Sequence, residues 1–209
     1  GCILAAMAGF DDSLVREFFE VNGFFVRQSP KAPVAGKRKR TETEGAVFFH
    51  NPQPATPRER AFQLFGADLV GLTAGVAVVR DWHGQKSVTP TTIRRGDFLD
   101  FIRKEACDAA KEAWASLPEG EAVPATKILV LPGLPSQEPA RAESIRLLKE
   151  AGVDHVISIR TIVENLVQHA ETPSSRESPT LALLRLLRVY DMVRTTQLEL
   201  FGGSSSSSR

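Results

Sequence analysis

The chain has little cysteine: two residues in 209, Cys2 and Cys107, with no CxxC neighbour. That pattern excludes a disulfide framework and a cysteine-built zinc site. No apolar run reaches the roughly 18–20 residues of a membrane-spanning helix. The opening Cys2–Ala8 is apolar but short and has no basic segment before it, so it reads as the buried start of a domain rather than a secretory signal. A myristoyl acceptor at Gly1 is disfavoured because Ala6 sits near the place where that motif needs Ser or Thr. A cytoplasmic location follows. There is also no excess of one charge: 26 Lys and Arg against 25 Asp and Glu give +1. Any nucleic-acid surface is therefore a local patch, not a global field. His50, His83, His155 and His169 show no HxxxH spacing, so no histidine metal site is expected. No GxGxxG or GxxxxGK phosphate loop occurs. Gly133-Leu134-Pro135-Ser136 lacks the following glycine of a nucleophile elbow.

What is present is ordinary for a globular domain: 42% hydrophobic and 24% charged residues, at a length that buries a sizeable core. Asp11, Asp12 and Ser13 offer N-caps for a helix that Gly23 stops, with Leu14, Val15, Phe18 and Phe19 on one face. Phe24 to Gln28 and Gly45 to His50 read as strands. A helix is expected from Arg58 to about Leu72, with Phe62, Phe65, Leu69 and Leu72 facing inward. Gly75 to Arg80 reads as an apolar strand with nearly every residue β-branched or small, as in a sheet covered on both faces. Thr89-Pro90 opens a long helix to about Trp114. Lys127 to Leu131 and Val153 to Ile159 read as strands, and Ser136 to Ala151 as a helix stopped by Gly152. A helix through about His169, a Pro/Ser/Glu linker at 171–178 and a last helix from Leu181 to Val193 complete the order. The last helix has its faces set by Leu183, Leu184, Leu187 and Tyr190 or Asp191. The fold class is α/β with a mixed sheet flanked by helices.

The stretch Val15-Arg16-Glu17-Phe18-Phe19-Glu20-Val21-Asn22-Gly23-Phe24-Phe25-Val26-Arg27-Gln28 is similar to the first helix and strand of small bacterial members of the PD-(D/E)XK, or restriction-endonuclease-like, superfamily. Val78-Val79-Arg80-Asp81-Trp82-His83 resembles the third strand and its exit, and Val153-Asp154-His155-Val156 a later strand. The resemblance spans about residues 11–165. It implies a core of one helix, three strands with the first two as a hairpin, a long helix and a further strand. It also implies a Mg²⁺ site: an acid on the second strand, another on the third, and a lysine two residues later. Here the matching positions are Ala46, Val78 and Arg80. Two carboxylates are replaced by apolar groups, and the lysine by an arginine that binds phosphate without giving up its proton. Two readings follow. In one, the catalytic site is lost, no cofactor is needed, and the surrounding acids are solvated. In the other, the acids have moved: Glu20, Glu44 and Asp81 with Lys86 form an active Mg²⁺ site. Glu44 shares the strand face of Ala46, whereas Asp81 needs a bulge to reach it.

Other residues carry paired readings too. Lys37-Arg38-Lys39-Arg40 lies in the loop between the first two strands. It suits phosphate contact by counterion release, or a solvated hairpin loop. Arg94 and Arg95 lie at a helix start beside the sheet end where a substrate would rest, which suits phosphate contact or ordinary solvent exposure. Arg80 suits phosphate contact, and His83 a general base or a DNA contact. Trp82-His83 also suits a packed aromatic beside a hydrogen-bonded histidine.

The tail carries Gln197-Leu198-Glu199-Leu200-Phe201 before Gly202, Gly203 and a serine run. This segment resembles the peptide with which bacterial proteins dock on the DNA-polymerase sliding clamp. In that reading Leu200 and Phe201 fill an apolar pocket, Leu198 adds contact and Gln197 hydrogen-bonds at its mouth. In the other reading these residues finish the last helix. The expected organisation is a nuclease-like domain at 11–170, a linker at 171–178, a C-terminal helix with the docking segment at 179–201 and a low-complexity tail at 202–209. The expected function is a catalytically degenerate nuclease-like protein that binds nucleic acid or scaffolds DNA replication or repair. A relocated, active Mg²⁺ nuclease and an interaction protein with no DNA role are the alternatives. DNA and the sliding clamp are the expected partners.

Overall fold

The computed structural model describes residues 3–28, 46–56, 59–80, 82, 88–89, 92, 98–115, 126–171 and 178–193. The chain divides into two compact units, residues 1–166 and 167–209.

In the first unit, α1 (Ile3–Val21) runs through Asp11, Asp12 and Ser13 instead of starting at them. The apolar residues that open the chain continue the helical pattern upstream, so those caps are not needed. The C-terminal stop is where glycine places it. Gly23 adopts φ +86°, its N–H donates to Glu20 O at 3.1 Å, and Phe24 N–H donates to Phe19 O at 3.0 Å. A left-handed residue there absorbs the turn without Cβ strain and satisfies the last carbonyls.

The chain then builds one mixed six-stranded sheet in the order β1-β2-β4-β5-β6-β3. The strands are β1 (Phe25–Gln28), β2 (Ala46–His50), β3 (Gln63–Leu64), β4 (Ala74–Val78), β5 (Lys127–Leu131) and β6 (His155–Ser158). β1, β2 and β4 pair antiparallel, with Val26 opposite Phe49 and Phe49 opposite Gly75. β4, β5, β6 and β3 pair parallel. Parallel strands need covered crossovers, and their near-continuous apolar text follows from burial on both faces.

Alternation along the strands splits the sheet into two faces. One carries Phe49, against which Phe19 of α1 stacks with ring centroids 4.4 Å apart. α5 (Ile159–Glu171) shares this layer at its start: Asn22 Nδ2 donates to Asn165 Oδ1 at 2.8 Å and to Phe18 O at 2.7 Å. Ser158 caps this helix, accepting from Thr161 N–H at 3.0 Å. The other face carries Ala46, Val76, Val78, Leu129, Leu131 and Val156. It is covered by a continuous helical run, α2 (Phe98–Phe101), a π-helical turn (Ile102–Ala106) and α3 (Cys107–Ala115), and by α4 (Glu138–Glu150). Phe98, Phe101, Ile102, Ala106, Ala109 and Ala110 are buried in this cluster. Each large apolar side chain removed from water contributes about 1.5–3 kcal/mol, which fixes the helices to the sheet. Thr89 and Thr92 bond to each other: Thr92 N–H donates to Thr89 Oγ1 at 3.2 Å, and Thr89 N–H to Thr92 Oγ1 at 2.8 Å.

The segment expected as a helix from Arg58 to Leu72 is not one. It forms the short strand β3 and a 3₁₀ helix, Gly66–Gly71. Gln63 and Leu64 add to the sheet edge beside Val156 and Ile157. Asp68 Oδ2 then accepts from Phe65 N–H at 2.8 Å and starts the tight turn. Leu64, Leu69 and Leu72 are buried, while Phe65 is exposed, so the apolar spacing reflects a strand followed by a 3₁₀ turn.

In the second unit, α6 (Pro179–Val189) starts at Ser178, whose Oγ accepts from Leu181 N–H at 3.1 Å. Arg185 Nε donates to Ala170 O at 3.2 Å, and Arg188 pairs with Glu171 at 2.6 Å. Leu181 is buried, whereas Leu183, Leu186, Val189 and Tyr190 are exposed.

Candidate functional site

Ala46 and Val78 stand opposite each other in the β2–β4 register. Both belong to the apolar cluster beneath the 98–115 helical run, with relative exposures of 8% and 4%. Val78 is in turn in register with Leu129 on β5. The two places where the resemblance puts metal-binding acids are thus neighbours across one ladder, and they hold a methyl and an isopropyl group. Mg²⁺ needs oxygen ligands, and these two residues offer no side-chain oxygen. These two side chains by themselves do not fit a divalent cation. Among the described residues, no group of three His, Cys, Asp or Glu lies close enough to hold a metal ion.

Arg80 follows on the same edge, two residues past Val78. Its Nη2 donates to Glu112 Oε2 of α3 at 2.6 Å. The Arg80 side chain is 31% exposed and that of Glu112 69%. The guanidinium is therefore accessible and restrained by one carboxylate, which leaves donors for an incoming anion but sets a local competitor beside it. Nothing in the sequence marked Glu112 as this partner. It lies 32 residues away, and only the packing of α3 on the sheet brings it there.

Trp82, just beyond, turns inward. Its backbone N–H donates to Arg80 O at 2.7 Å, and its indole N–H to Val130 O at 2.8 Å. Its ring meets Phe101 edge-on at 5.1 Å. A Trp can be fully buried when its single N–H has an acceptor, and this contact pins the exit of β4 against β5.

Glu20 lies on the layer opposite the Ala46–Val78 cluster. Its Oε1 accepts from Arg16 Nε at 2.9 Å, one helical turn away. Neighbouring Glu17 is 8% exposed, and its Oε1 has no hydrogen-bond partner among the described residues. Cys107 is buried in the apolar cluster, and burial pushes its thiol above the usual range, partly offset by the Lys111 charge. The structure therefore places Arg80 beside the Ala46–Val78 pair and Glu20 across the sheet from it. Glu44, Asp81, Lys86, Lys37, Arg38, Lys39, Arg40, His83, Arg94 and Arg95 lie outside the described residues, as do Gln197, Leu198, Leu200 and Phe201.

No helix among the described residues is long and apolar enough to cross a membrane. Comparison with protein-family models, with curated proteins and with solved structures finds no match to this chain.

Proposed function

We propose that this protein is a restriction-endonuclease-like domain without its catalytic metal site. On this reading it binds nucleic acid or scaffolds DNA replication or repair, and it docks on the sliding clamp through Gln197–Phe201. The observation that carries the reading is the Ala46–Val78 pair. The two positions that would hold acids are adjacent across one ladder and buried among apolar side chains. Support also comes from the arrangement around them: α1 packed on one face, the 98–115 run on the other, and an antiparallel pair leading into β4. Arg80 supplies the phosphate contact at the edge of this site, with the 37–40 run, His83, Arg94 and Arg95 adding to the nucleic-acid surface.

The test has two arms. Full-length protein is assayed for binding to a bacterial sliding clamp beside a Gln197→Ala/Leu200→Ala/Phe201→Ala variant. Binding that the variant loses supports docking; equal binding by both, or none, removes the clamp from the reading. Salt-dependent DNA binding with no Mg²⁺-dependent cleavage supports the degenerate domain. Cleavage abolished by Glu44→Ala would replace it with the active Mg²⁺ nuclease built on Glu20, Glu44, Asp81 and Lys86.

A further inference from the structure

The parallel strands place a second feature at the opposite end of the sheet from Arg80. A cleft of about 540 Å³ opens where β5 and β6 begin, lined by Arg60, Thr126, Lys149, Val153, Asp154 and His155. A cleft of this size suits a small molecule.

Its cations are held in place without carboxylates. Arg60 Nη2 donates to Gly71 O. Lys149 Nζ lies 5.5 Å from the centroid of the Phe62 ring. The His155 ring nitrogen Nδ1 lies 3.0 Å from Ala61 O. A carbonyl oxygen can only accept, so Nδ1 carries the proton and Nε2 is left for other contacts. Among the described residues, neither Arg60 nor Lys149 makes an ion pair, with Asp154 or with any other acid. Two oriented but unneutralised cations form a receptor for an oxyanion. Asp154 gives the cleft a second character. Its Oδ2 accepts from Lys127 N–H at 2.8 Å, and its own N–H donates to Lys127 O at 3.0 Å. That fixes the carboxylate and leaves Oδ1 as an acceptor, which repels an anion but receives a hydroxyl.

We propose that this cleft binds a sugar phosphate or nucleoside phosphate: Arg60 and Lys149 take the phosphate, and Asp154 Oδ1 accepts from a sugar hydroxyl. A carboxylate ligand would use the cations but leave Asp154 without a donor. The site shares no residue with the Ala46–Val78–Arg80 edge, so either can fail while the other stands.

The experiment is calorimetric titration of the full chain with inorganic phosphate, ribose 5-phosphate, ribose and succinate. Ribose 5-phosphate should bind more tightly than phosphate, and ribose and succinate weakly or not at all. Arg60→Gln and Lys149→Gln should each weaken ribose 5-phosphate roughly tenfold, as expected for loss of one charge-assisted contact. Asp154→Asn should tighten inorganic phosphate and shrink the advantage of the sugar. A gentler variant tests Arg60 without deleting it. A Cβ at Gly71 would lie 2.7 Å from Arg60 Nη2, so Gly71→Ala should displace the guanidinium and weaken binding several-fold while the thermal melt stays close to that of the parent. Failure of both phosphates to bind at millimolar concentration overturns the proposal, as does binding that none of these variants alters. If only an oligonucleotide binds, and the Arg60 and Lys149 variants lose it, the cleft is a nucleic-acid contact and the small-molecule assignment falls.

Discussion

Ala46 and Val78 face each other across the β2–β4 ladder, and both are buried in the cluster that carries Trp82, Phe98 and Phe101. On the degenerate-nuclease reading, the missing acids are therefore not a matter of two absent oxygens on an open surface. The space is filled, and its filling helps hold the 98–115 run to the sheet.

Restoring an acid there should be costly. Val78→Glu puts a carboxyl into an apolar cluster, which raises its folded-state pKa; a rise of about 3 units amounts to about 4 kcal/mol at pH 7. Because the folded value is raised, the penalty is absent below the unfolded value near 4 and grows as pH rises towards about 7. Thermal melts of Val78→Glu across that range should show the gap from the parent widening with pH, and 10 mM Mg²⁺ should not close it. A large Mg²⁺-dependent rise in melting temperature would mean that the place still accepts a cation.

Glu112 competes for the Arg80 guanidinium at 2.6 Å. On the nucleic-acid reading, Glu112→Gln should tighten DNA binding about two- to threefold at low salt, in line with the modest strength of an exposed pair. Arg80→Ala should weaken it and lower the salt dependence by about one phosphate contact. Fluorescence anisotropy over a salt series measures both. If neither substitution changes the affinity, Arg80 is not at the interface.

Two glycines should fail for different reasons. A Cβ at Gly75 would run into the Thr126 carbonyl oxygen and lie 2.6 Å from Phe49 Cζ. Gly75→Ala therefore needs strand movement, and a loss of about 1–3 kcal/mol or more is expected. Around Gly23 nothing lies within 4 Å, but φ is +86°, so Gly23→Ala should lose about 1–2 kcal/mol from backbone strain alone. Denaturant titration separates the two magnitudes. A neutral Gly75→Ala would contradict the close approach of β4 to Thr126.

Cys107 is buried, and its thiol is pushed up by that burial. It should react with maleimide far more slowly in the native protein than in denaturant, as peptide mapping by mass spectrometry would show. The raised value also means that ionisation above about pH 9 favours the unfolded chain, so stability should fall as pH rises through that range. Equal labelling rates in both states would place the thiol at the surface.

Much of the sheet is legible in the sequence. Gly75 to Arg80 and Lys127 to Leu131 read as buried strands because short, largely apolar, β-branched text suits a sheet covered on both faces. Gly23 and Gly152 mark helix ends because positive φ favours glycine, and both adopt it. The 58–72 segment was less legible. Phe62, Phe65, Leu69 and Leu72 have helical spacing, but Gln63 and Leu64 gain more by pairing with Val156 and Ile157, a contact about ninety residues away. Ala46 and Val78 could be picked out singly, whereas their pairing and shared burial needed the register. The Arg80–Glu112 pair and the grouping of Arg60, Lys149, Asp154 and His155 were not legible, because long-range packing brings those residues together from separate segments.

The two-residue strand Gln63–Leu64 has a consequence for how these molecules meet one another. An unpaired strand margin invites addition of a strand from another chain. Here the outer margin of β6 is already occupied by β3, which at two residues is too short to offer much of a template itself. At the other margin, β1 is four residues long and carries Arg27, whose guanidinium lies 5.2 Å from the centroid of the Phe48 ring. Short strands and a positive charge at the margins disfavour edge-to-edge growth of a sheet with so apolar a centre.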